Sequence, residues 1–544
     1  MEYFNLGTWS RSVTTSSAKA QTWFDRGLVW TYAFNHEEAI ICFEKAIAAD
    51  PDCAMAHWGI AYAIGPNYNK PWEAFEEGEA PEALATARAA LQSASEIGKP
   101  VAPVERALLD ALEQRYPASD APEDLAAATD AYADAMRKLH QSYPDDLDVC
   151  SLFVEALMNR TPWQLWDLPS GLPADGADTV EAAAVLDTAF DRLQGAWDHP
   201  GLLHMYIHLM EMSPHPEKAL RQGDRLSTLV PDAGHLLHMA THIDVLCGDY
   251  MNVVSRNQTA IEADRRYLDH AGPENFYSVY RCHNYHFKIY GAMFLGQPAP
   301  ALAAAEELIE TLPADILRPL ADWFEAFIPM KQHVLIRFGL WRDILDQDLP
   351  EDAELYAVTT AMMRYARCVA LANLGRIDDA EKERDAFFAA RDRVPEARML
   401  FNNTCRDILK VAEHMLLGEL AYKSGDHGAA FDHLRRSIDA DDTLPYDEPW
   451  GWMQPTRHAL GELLLDQGHY DEAEAVYRAG LGLDGTLSRA CQHPGNVWSL
   501  HGLHECLVKR GETTELPHIR QQLDKALARA EVQIQASCYC RQVA

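Results

Sequence analysis

Apolar and small residues recur along the chain at the spacing of paired helices rather than of strands. In the first such segment, Trp23, Gly27, Trp30, Ala39, Phe43, Ala46 and Pro51 occupy positions 4, 8, 11, 20, 24, 27 and 32 of one unit. Small residues at positions 8 and 20 let two antiparallel helices approach closely, large residues fill the gap, and proline ends the second helix. The pattern predicts a helix-turn-helix repeat.

The same spacing returns further along the chain. Gly461, Leu464, Ala473, Tyr477 and Gly480 repeat positions 8, 11, 20, 24 and 27. Further units are predicted around LANLGRIDDAE near Ala380, around LAYKSGDHGAAF, and between Tyr132 and Pro144. Alternating β-forming residues are scarce in these segments, so essentially no sheet is expected.

Irregular stretches rich in proline, glycine and tryptophan interrupt the repeats at residues 65–82, 159–179 and 439–455. In repeat proteins such insertions gather on one face, where they line or cover the concave surface; the alternative is that their tryptophans fill gaps between unevenly stacked repeats. We divide the chain into N-terminal repeats (1–190), central histidine-rich repeats (191–345), and C-terminal repeats with a tail (346–544), forming one continuous solenoid.

The numbered positions of the small and large residues in these units resemble those of the tetratricopeptide repeat motif. The order of short motifs along the chain extends the resemblance. AFNHEEAI, AMAHWGIAYAIGPNYN, HPGLLHMYIHLMEMSPHPEKAL, GHLLHMATHI and HNYHF resemble a family of bacterial and fungal tetratricopeptide-repeat proteins without a settled activity. The resemblance implies an all-α fold, a helix-turn-helix solenoid (superhelix) with irregular inserted loops. It also implies that positions 2, 5, 9 and 12 of each first helix face the concave groove.

Histidines repeat with the period of the helices. Seven of the 23 histidines lie between His199 and His242, and His204 and His208 each recur 34 residues later, as His238 and His242. If the repeats are numbered by the motif, His204, His208 and Glu211 take positions 5, 9 and 12 of one repeat. In the next repeats, His235, His238 and His242 take positions 2, 5 and 9, and His283, His286 and Tyr290 take the same three positions. The histidines of three successive repeats are therefore expected to point into one space.

Imidazoles from neighbouring helices can meet at one metal ion, since packed helices lie roughly 8–10 Å apart. The predicted ligands are His204, His208, His235, His238, His242, His283 and His286. The best set of four is His204 and His208 on one helix, facing His238 and His242 on the next. Imidazole suits copper, zinc, iron and nickel, whereas calcium or magnesium would require clustered carboxylates. We favour copper over zinc, with an iron centre of two histidines and a carboxylate as an alternative.

Two further groups could serve that site. Glu211 is a candidate oxygen ligand, a candidate outer partner that hydrogen-bonds a ligand without binding the metal, or a candidate general base. Tyr290 is a candidate for proton transfer. Cys538 and Cys540, near the end of the chain, are a weaker candidate pair of thiolate ligands, if the tail folds back. Elsewhere, His36 lies in a helix-helix turn and is expected to hydrogen-bond the backbone, whereas His458 falls at position 5, a groove position.

Charge and composition remove several classes of function. The 47 basic and 82 acidic residues give a net charge of −35, which disfavours nucleic-acid or membrane partners. A secretory leader, a long apolar run, a phosphate-binding loop and a dinucleotide fingerprint are all missing from the sequence, so we expect a cytoplasmic protein without ATP or NAD chemistry.

Three hypotheses remain. The first is a metalloenzyme acting on a small molecule in the groove, with copper redox chemistry slightly ahead of zinc hydrolysis. The second is a scaffold that grips a peptide or protein partner in the groove without metal. The third is a metal storage or delivery protein, which would use the same residues as the first.

Overall fold

A computed structural model describes residues 3–541, and within them the chain is helical almost throughout. The strands among these residues form two short antiparallel hairpins, β1 (Trp166–Asp167) with β2 (Leu172–Pro173), and β3 (Met399–Leu400) with β4 (Asn403–Thr404). Each hairpin lies in a connection between helices and contributes little to the core. The predicted all-α helical-repeat fold is confirmed.

The first part of the chain forms pairs of helices joined by short turns. They are α1 (Ala18–Tyr32), α2 (His36–Ala49), α3 (Ala54–Ala63), α4 (Glu79–Glu96), α5 (Pro103–Glu113), α6 (Pro122–Ser142), α7 (Leu147–Met158), α8 (Thr179–Arg192), α9 (Pro200–Glu211), α10 (Leu220–Leu226), α11 (Gly234–Leu246) and α12 (Tyr250–Ala271).

The helical pairs continue to the end of the described chain. They are α13 (Ser278–Leu295), α14 (Pro298–Glu310), α15 (Ala314–Leu317), α16 (Ala321–Phe324), α17 (Met330–Arg337), α18 (Trp341–Leu345), α19 (Ala357–Asn373), α20 (Ile377–Arg391), α21 (Cys405–Lys423), α22 (His427–Asp442), α23 (Thr456–Asp466), α24 (Tyr470–Leu481), α25 (Val497–Arg510) and α26 (Leu516–Leu527). Single-turn 3₁₀ helices lie at Trp72–Ala74, Ala196–Asp198, Pro216–Ala219, Arg318–Leu320, Glu325–Phe327 and Arg489–Cys491.

The chain divides into two compact units. The first runs to Ile243 and includes Glu262–Tyr277, and the second comprises Asp244–Ile261 and the chain from Ser278 onward. The three-part division expected from the repeats concerns sequence similarity rather than compactness, and it stays a prediction. Among residues 3–541, no helix is both long enough and apolar enough to cross a membrane.

One aromatic ring holds the first three helices together. A Cβ atom at Gly27 on α1 or at Gly59 on α3 would lie 2.6 Å from the ring of Phe43 on α2, so both glycines are required by the close approach of that ring. In the second unit, Gly461 on α23 and Gly502 on α25 meet the ring of Tyr477 in the same way. The predicted packing of small residues on one helix against a large residue on its neighbour therefore occurs in both units.

The turn between α1 and α2 is fixed by its polar groups. Asn35 caps α2 by accepting a hydrogen bond from the backbone N–H of Glu38, and Phe34 before it has a φ of 55°. The Nδ1–H of His36 donates to the carbonyl of Ala63 at 2.8 Å, which is the backbone contact expected from the sequence. Burial, with the charge of Arg115 acting in the same direction, lowers the pKa of His36 to about 3.

We expect the substitution Gly27→Ala to destabilise the first unit by about 1–3 kcal/mol, because the added methyl group must displace the Phe43 ring. Gly480→Ala is the matched control, since its Cβ would lie no closer than 3.8 Å to any neighbour outside its own helix. That variant should be neutral or more stable by up to about 1 kcal/mol. Equilibrium urea unfolding of both variants tests the packing; equal effects would contradict it.

We expect His36 to make the protein less stable in acid. An unfolded histidine takes up its proton near pH 6.5, but the folded one stays neutral until about pH 3, so stability is lost as the pH falls through this window. Between pH 7.5 and 4.5, the wild type should lose about 2.5 kcal/mol more unfolding free energy than His36→Gln. Urea unfolding at several pH values measures the difference; parallel curves would contradict the assignment.

Candidate metal centre

Helix α9 carries the first two histidines of the centre. The side chain of His199 caps this helix by accepting a hydrogen bond from the N–H of Leu202, and Pro200 occupies its first turn. His204 and His208 then follow one turn apart, and both side chains are completely buried. Their shared face is the consequence of the four-residue spacing.

Hydrogen bonds fix the protonation of these two rings. The Nδ1–H of His204 donates to the carbonyl of Tyr32 at 2.7 Å, and the Nδ1–H of His208 donates to Oε1 of Glu211 at 2.9 Å. In each ring the other nitrogen, Nε2, therefore carries the lone pair. Neither Nε2 has a hydrogen-bond partner among residues 3–541.

Helix α11 supplies the third ring. The backbone N–H of His235, in its first turn, donates to the hydroxyl of Tyr277 at 2.9 Å. The His235 ring centroid lies 4.9 Å from that of His204 and 6.4 Å from that of His208. One ring nitrogen from each of the three histidines lies within 4.8 Å of the others.

The three nitrogens fit one transition metal ion after a small adjustment. Bonds of about 2.0–2.1 Å in tetrahedral geometry place ligand nitrogens roughly 3.3 Å apart. The three nitrogens, within 4.8 Å of one another, would each have to move closer to a shared ion to reach that separation. His204, His208 and His235 are therefore a candidate ligand trio whose members all belong to the first unit.

Glu211 links this trio to two further histidines. Its Oε1 accepts from His208, and its Oε2 accepts from the Nδ1–H of His242 at 2.8 Å. His242 in turn meets His238 through their Nε2 atoms, which are 2.7 Å apart. Because both carboxylate oxygens are engaged by imidazole N–H groups, the geometry favours the outer-partner role for Glu211 over direct ligation or base catalysis.

Burial keeps the trio in the form that binds metal. Removal from water lowers the pKa of His204, His208 and His235 well below the usual value for histidine, and the neighbouring imidazoles act in the same direction. A neutral imidazole offers its lone pair without first releasing a proton. At neutral pH the three rings are therefore ready to accept a cation.

Aromatic rings enclose the trio, and the sequence did not identify all of them. The ring centroid of Phe34 lies 4.5 Å from that of His204, and the rings of Tyr68 and Trp163 lie 4.9 and 5.8 Å from that of His208. Trp163 belongs to the irregular segment 159–179, so this segment lines the centre. The signals in the sequence were the turn FNHEEA and the segment GPNYN, which mark sharp turns without indicating what they face.

The remaining predicted residues belong to the second unit. On α13, the Nε2 of His286 lies 2.9 Å from the Sδ of Met453, and the Tyr290 hydroxyl lies 3.1 Å from the Nδ1 of His493. His283, on the same helix, packs edge-to-face against Phe401. The assignments of His283 and His286 as ligands and of Tyr290 as a proton donor stay predictions.

The predicted thiolate pair is oxidised in this structure. A disulfide joins Cys538 to Cys540, and in that form neither sulfur is a thiolate ligand. Both residues belong to the second unit. A metal role for them requires the reduced form.

Comparison with protein families matches two segments of the chain to the tetratricopeptide repeat, residues 20–53 and residues 455–486. The protein carries tetratricopeptide repeats. The matches coincide with the two repeats that the sequence pattern defined best, and α1 with α2 and α23 with α24 are their helices. None of the curated proteins matches this tetratricopeptide-repeat protein.

Solved structures similar to this tetratricopeptide-repeat protein include a human IFIT1 dimer with m7Gppp-AAAA, at 12% identity over 87% of this chain and 90% of that one, with a TM-score of 0.34. Yeast Tom70 has 11% identity over 93% and 92% of the two chains, with a TM-score of 0.26. The APC/C Cut9–Hcn1 hetero-tetramer has 14% identity over 93% and 76%, with a TM-score of 0.31. Similarity this low carries no argument about function.

We expect Glu211→Gln to lower the unfolding free energy by about 1–3 kcal/mol, because the amide offers one acceptor oxygen and turns an N–H donor toward an imidazole N–H. Glu123→Gln is the control, since Glu123 is an exposed carboxylate on α6 of the same unit. Thermal unfolding of the metal-free proteins measures the difference. Equal melting temperatures for both variants would contradict the shared role of the Glu211 carboxylate.

Proposed function

We propose that the first unit binds one transition metal ion, copper or zinc, through His204, His208 and His235. The observation that carries the proposal is the pair of buried Nε2 atoms on His204 and His208, which lack a hydrogen-bond partner among residues 3–541 and lie on the same helix face. An unsatisfied buried polar atom costs about 1–3 kcal/mol, so a ligand that occupies such atoms gains that energy back.

The donor set supports copper or zinc over the alternatives. Imidazole nitrogen suits both ions, and the trio offers nitrogen donors only, whereas an iron centre of two histidines and one carboxylate would need a carboxylate oxygen as a ligand. Glu211 is the carboxylate at hand, and His208 and His242 engage both of its oxygens. Hydrogen bonding of a ligand ring to a carboxylate raises the basicity of that ring and fixes its orientation.

Three protein ligands leave a coordination position for water or a small molecule, as in catalytic metal sites. We therefore propose that the bound metal ion catalyses a reaction of a small molecule. This activity can be tested once the metal is identified. A storage or delivery role would use the same three rings without turnover.

The second candidate function is a scaffold for a peptide or protein partner. The two tetratricopeptide repeats support it, because such repeats commonly present a groove for peptides. A cytoplasmic location and a small-molecule substrate stay predictions. Measuring the metal content of the purified protein distinguishes the metal-binding function from the scaffold function.

We expect untagged protein, purified without chelators, to retain about one copper or zinc ion per chain by inductively coupled plasma mass spectrometry. The double variant His204→Ala/His235→Ala should lose nearly all of it, since one remaining imidazole binds weakly. His140→Ala is the control, because His140 is a half-buried histidine of the same unit that packs on Phe153. Circular dichroism checks that each variant is folded.

The outcomes decide between the functions. Protein that is folded, metal-free and unable to take up added copper or zinc would exclude a metal centre and leave the scaffold. Equal metal loss in His140→Ala and the double variant would place the ion elsewhere. Glu211→Gln should weaken affinity about 10–100-fold without removing a ligand, which tests its orienting role separately.

A further inference from the structure

The last described residues of the chain lie in a specific seat on the second unit. Ser537 is completely buried, and each of its polar groups has a partner. Its backbone N–H donates to Oε2 of Glu462, and its carbonyl accepts from Nη1 of Arg337 at 3.2 Å. Its hydroxyl donates to the carbonyl of His458 at 2.9 Å and accepts from the hydroxyl of Tyr477 at 2.6 Å. The seat therefore recognises both an extended backbone and a small hydroxyl side chain.

Two further side chains of the tail fill neighbouring places. Tyr539 packs over Gly339, where a Cβ atom would lie 2.9 Å from the tyrosine ring, and against Trp498. Arg541 donates to Oε1 of Glu462 at 2.6 Å and to Oε2 of Glu505 at 3.1 Å. These carboxylates make the far end of the seat acidic, which suits a basic residue.

The start of the tail is fastened separately. The N–H of Glu531 donates to the carbonyl of Gly296 at 3.0 Å, and a carboxylate oxygen of Glu531 accepts from the N–H of Ala299. Ile534 is buried beside Gly296. The tail is thus held at both ends as a peptide rather than as another helix pair.

Two of the residues that the tail contacts belong to a recognised repeat: His458 through its backbone carbonyl and Glu462 through its carboxylate. His458 and Glu462 are positions 5 and 9 of the repeat matched at residues 455–486, and both lie on its first helix, α23. They are one turn apart, so they share a face.

We propose that this seat is a peptide-binding site, and that the tail, residues 531–541, is its intramolecular ligand. The partner it fits is an extended peptide with a small hydroxyl residue, an aromatic residue two places later and a basic residue four places later, as in Ser537, Tyr539 and Arg541. A tethered segment acts at an effective concentration in the millimolar range, so the tail excludes weaker peptides. The seat belongs to the second unit, and the trio of histidines belongs to the first.

The test uses the full chain with the tail displaced. Ser537→Trp places a large ring where the serine is completely buried, so the tail should leave the seat. Gln535→Trp is the matched control, because Gln535 is exposed two residues earlier in the same tail. The probe is a fluorescein-labelled synthetic peptide of residues 531–541 with its disulfide closed, and fluorescence anisotropy measures its binding.

We expect Ser537→Trp to bind the probe at least about ten-fold more tightly than the wild type or Gln535→Trp, because the tethered competitor is gone. A probe with glutamate in place of the arginine, or with the residue order scrambled, should bind at least about ten-fold more weakly to the same variant. Hydrogen exchange on the variant should show faster exchange in residues 531–541.

Three results would overturn the proposal. They are a folded Ser537→Trp protein with an exposed tail that does not bind the probe, equal binding of the scrambled probe, and equal binding of the probe to the wild type. If Ser537→Trp does not fold, Arg541→Glu displaces the tail more gently, because it sets a third carboxylate against Glu462 and Glu505. The same probe and the same criteria then apply.

Discussion

The close approach of antiparallel helices across a glycine is the constraint on which this structure depends. Gly27 and Gly59 admit the ring of Phe43, and Gly461 and Gly502 admit that of Tyr477. Where one ring packs against the glycine backbone of a helix on each side, the spacing of those helices is set by the ring.

The first unit buries a network of imidazole and carboxylate side chains away from water. Imidazoles on α9 and α11 lie without exposure to water, and one carboxylate, Glu211, orients a ring from each helix. Such a network is stable only when its members satisfy one another, and leaving an atom unsatisfied is costly. The unfilled Nε2 atoms of His204 and His208 are therefore the part of the network that most requires a ligand.

The sequence predicted the repeats and a cluster of histidines from neighbouring repeats because both depend on local periods, although its preferred ligands were His204, His208, His238 and His242 rather than the trio with His235. A spacing of four residues places His204 and His208 on one face of a helix, and the 34-residue interval places His238 and His242 at the equivalent positions of the neighbouring helix. His235 lies three residues before His238 on that helix. The groups that contact the histidine rings, however, come from segments that are distant in the chain. The carbonyl of Tyr32 and the ring of Phe34 both contact His204, although they lie 170 or more residues away from it in the chain. No periodicity encodes those contacts.

The tail was harder to predict for the same reason. The groove position of His458 is evident from the repeat numbering, but the arrival of Ser537 beside it depends on how the chain turns after α26. The sequence singled out the two cysteines as candidate thiolate ligands, whereas the neighbouring Ser537, Tyr539 and Arg541 make the specific contacts. The serine, tyrosine and arginine of the tail have no distinctive spacing as a motif, and only their common seat shows that they act together.

Phe43 illustrates how repeat proteins limit their own variation. Because one ring is the spacer for α1 and α3 alike, a substitution that suits Gly27 must also suit Gly59. A smaller ring would leave a void on two sides, and a larger residue at either glycine would clash with the same atoms. The three positions are thus expected to change together or not at all during evolution, although they lie on separate helices.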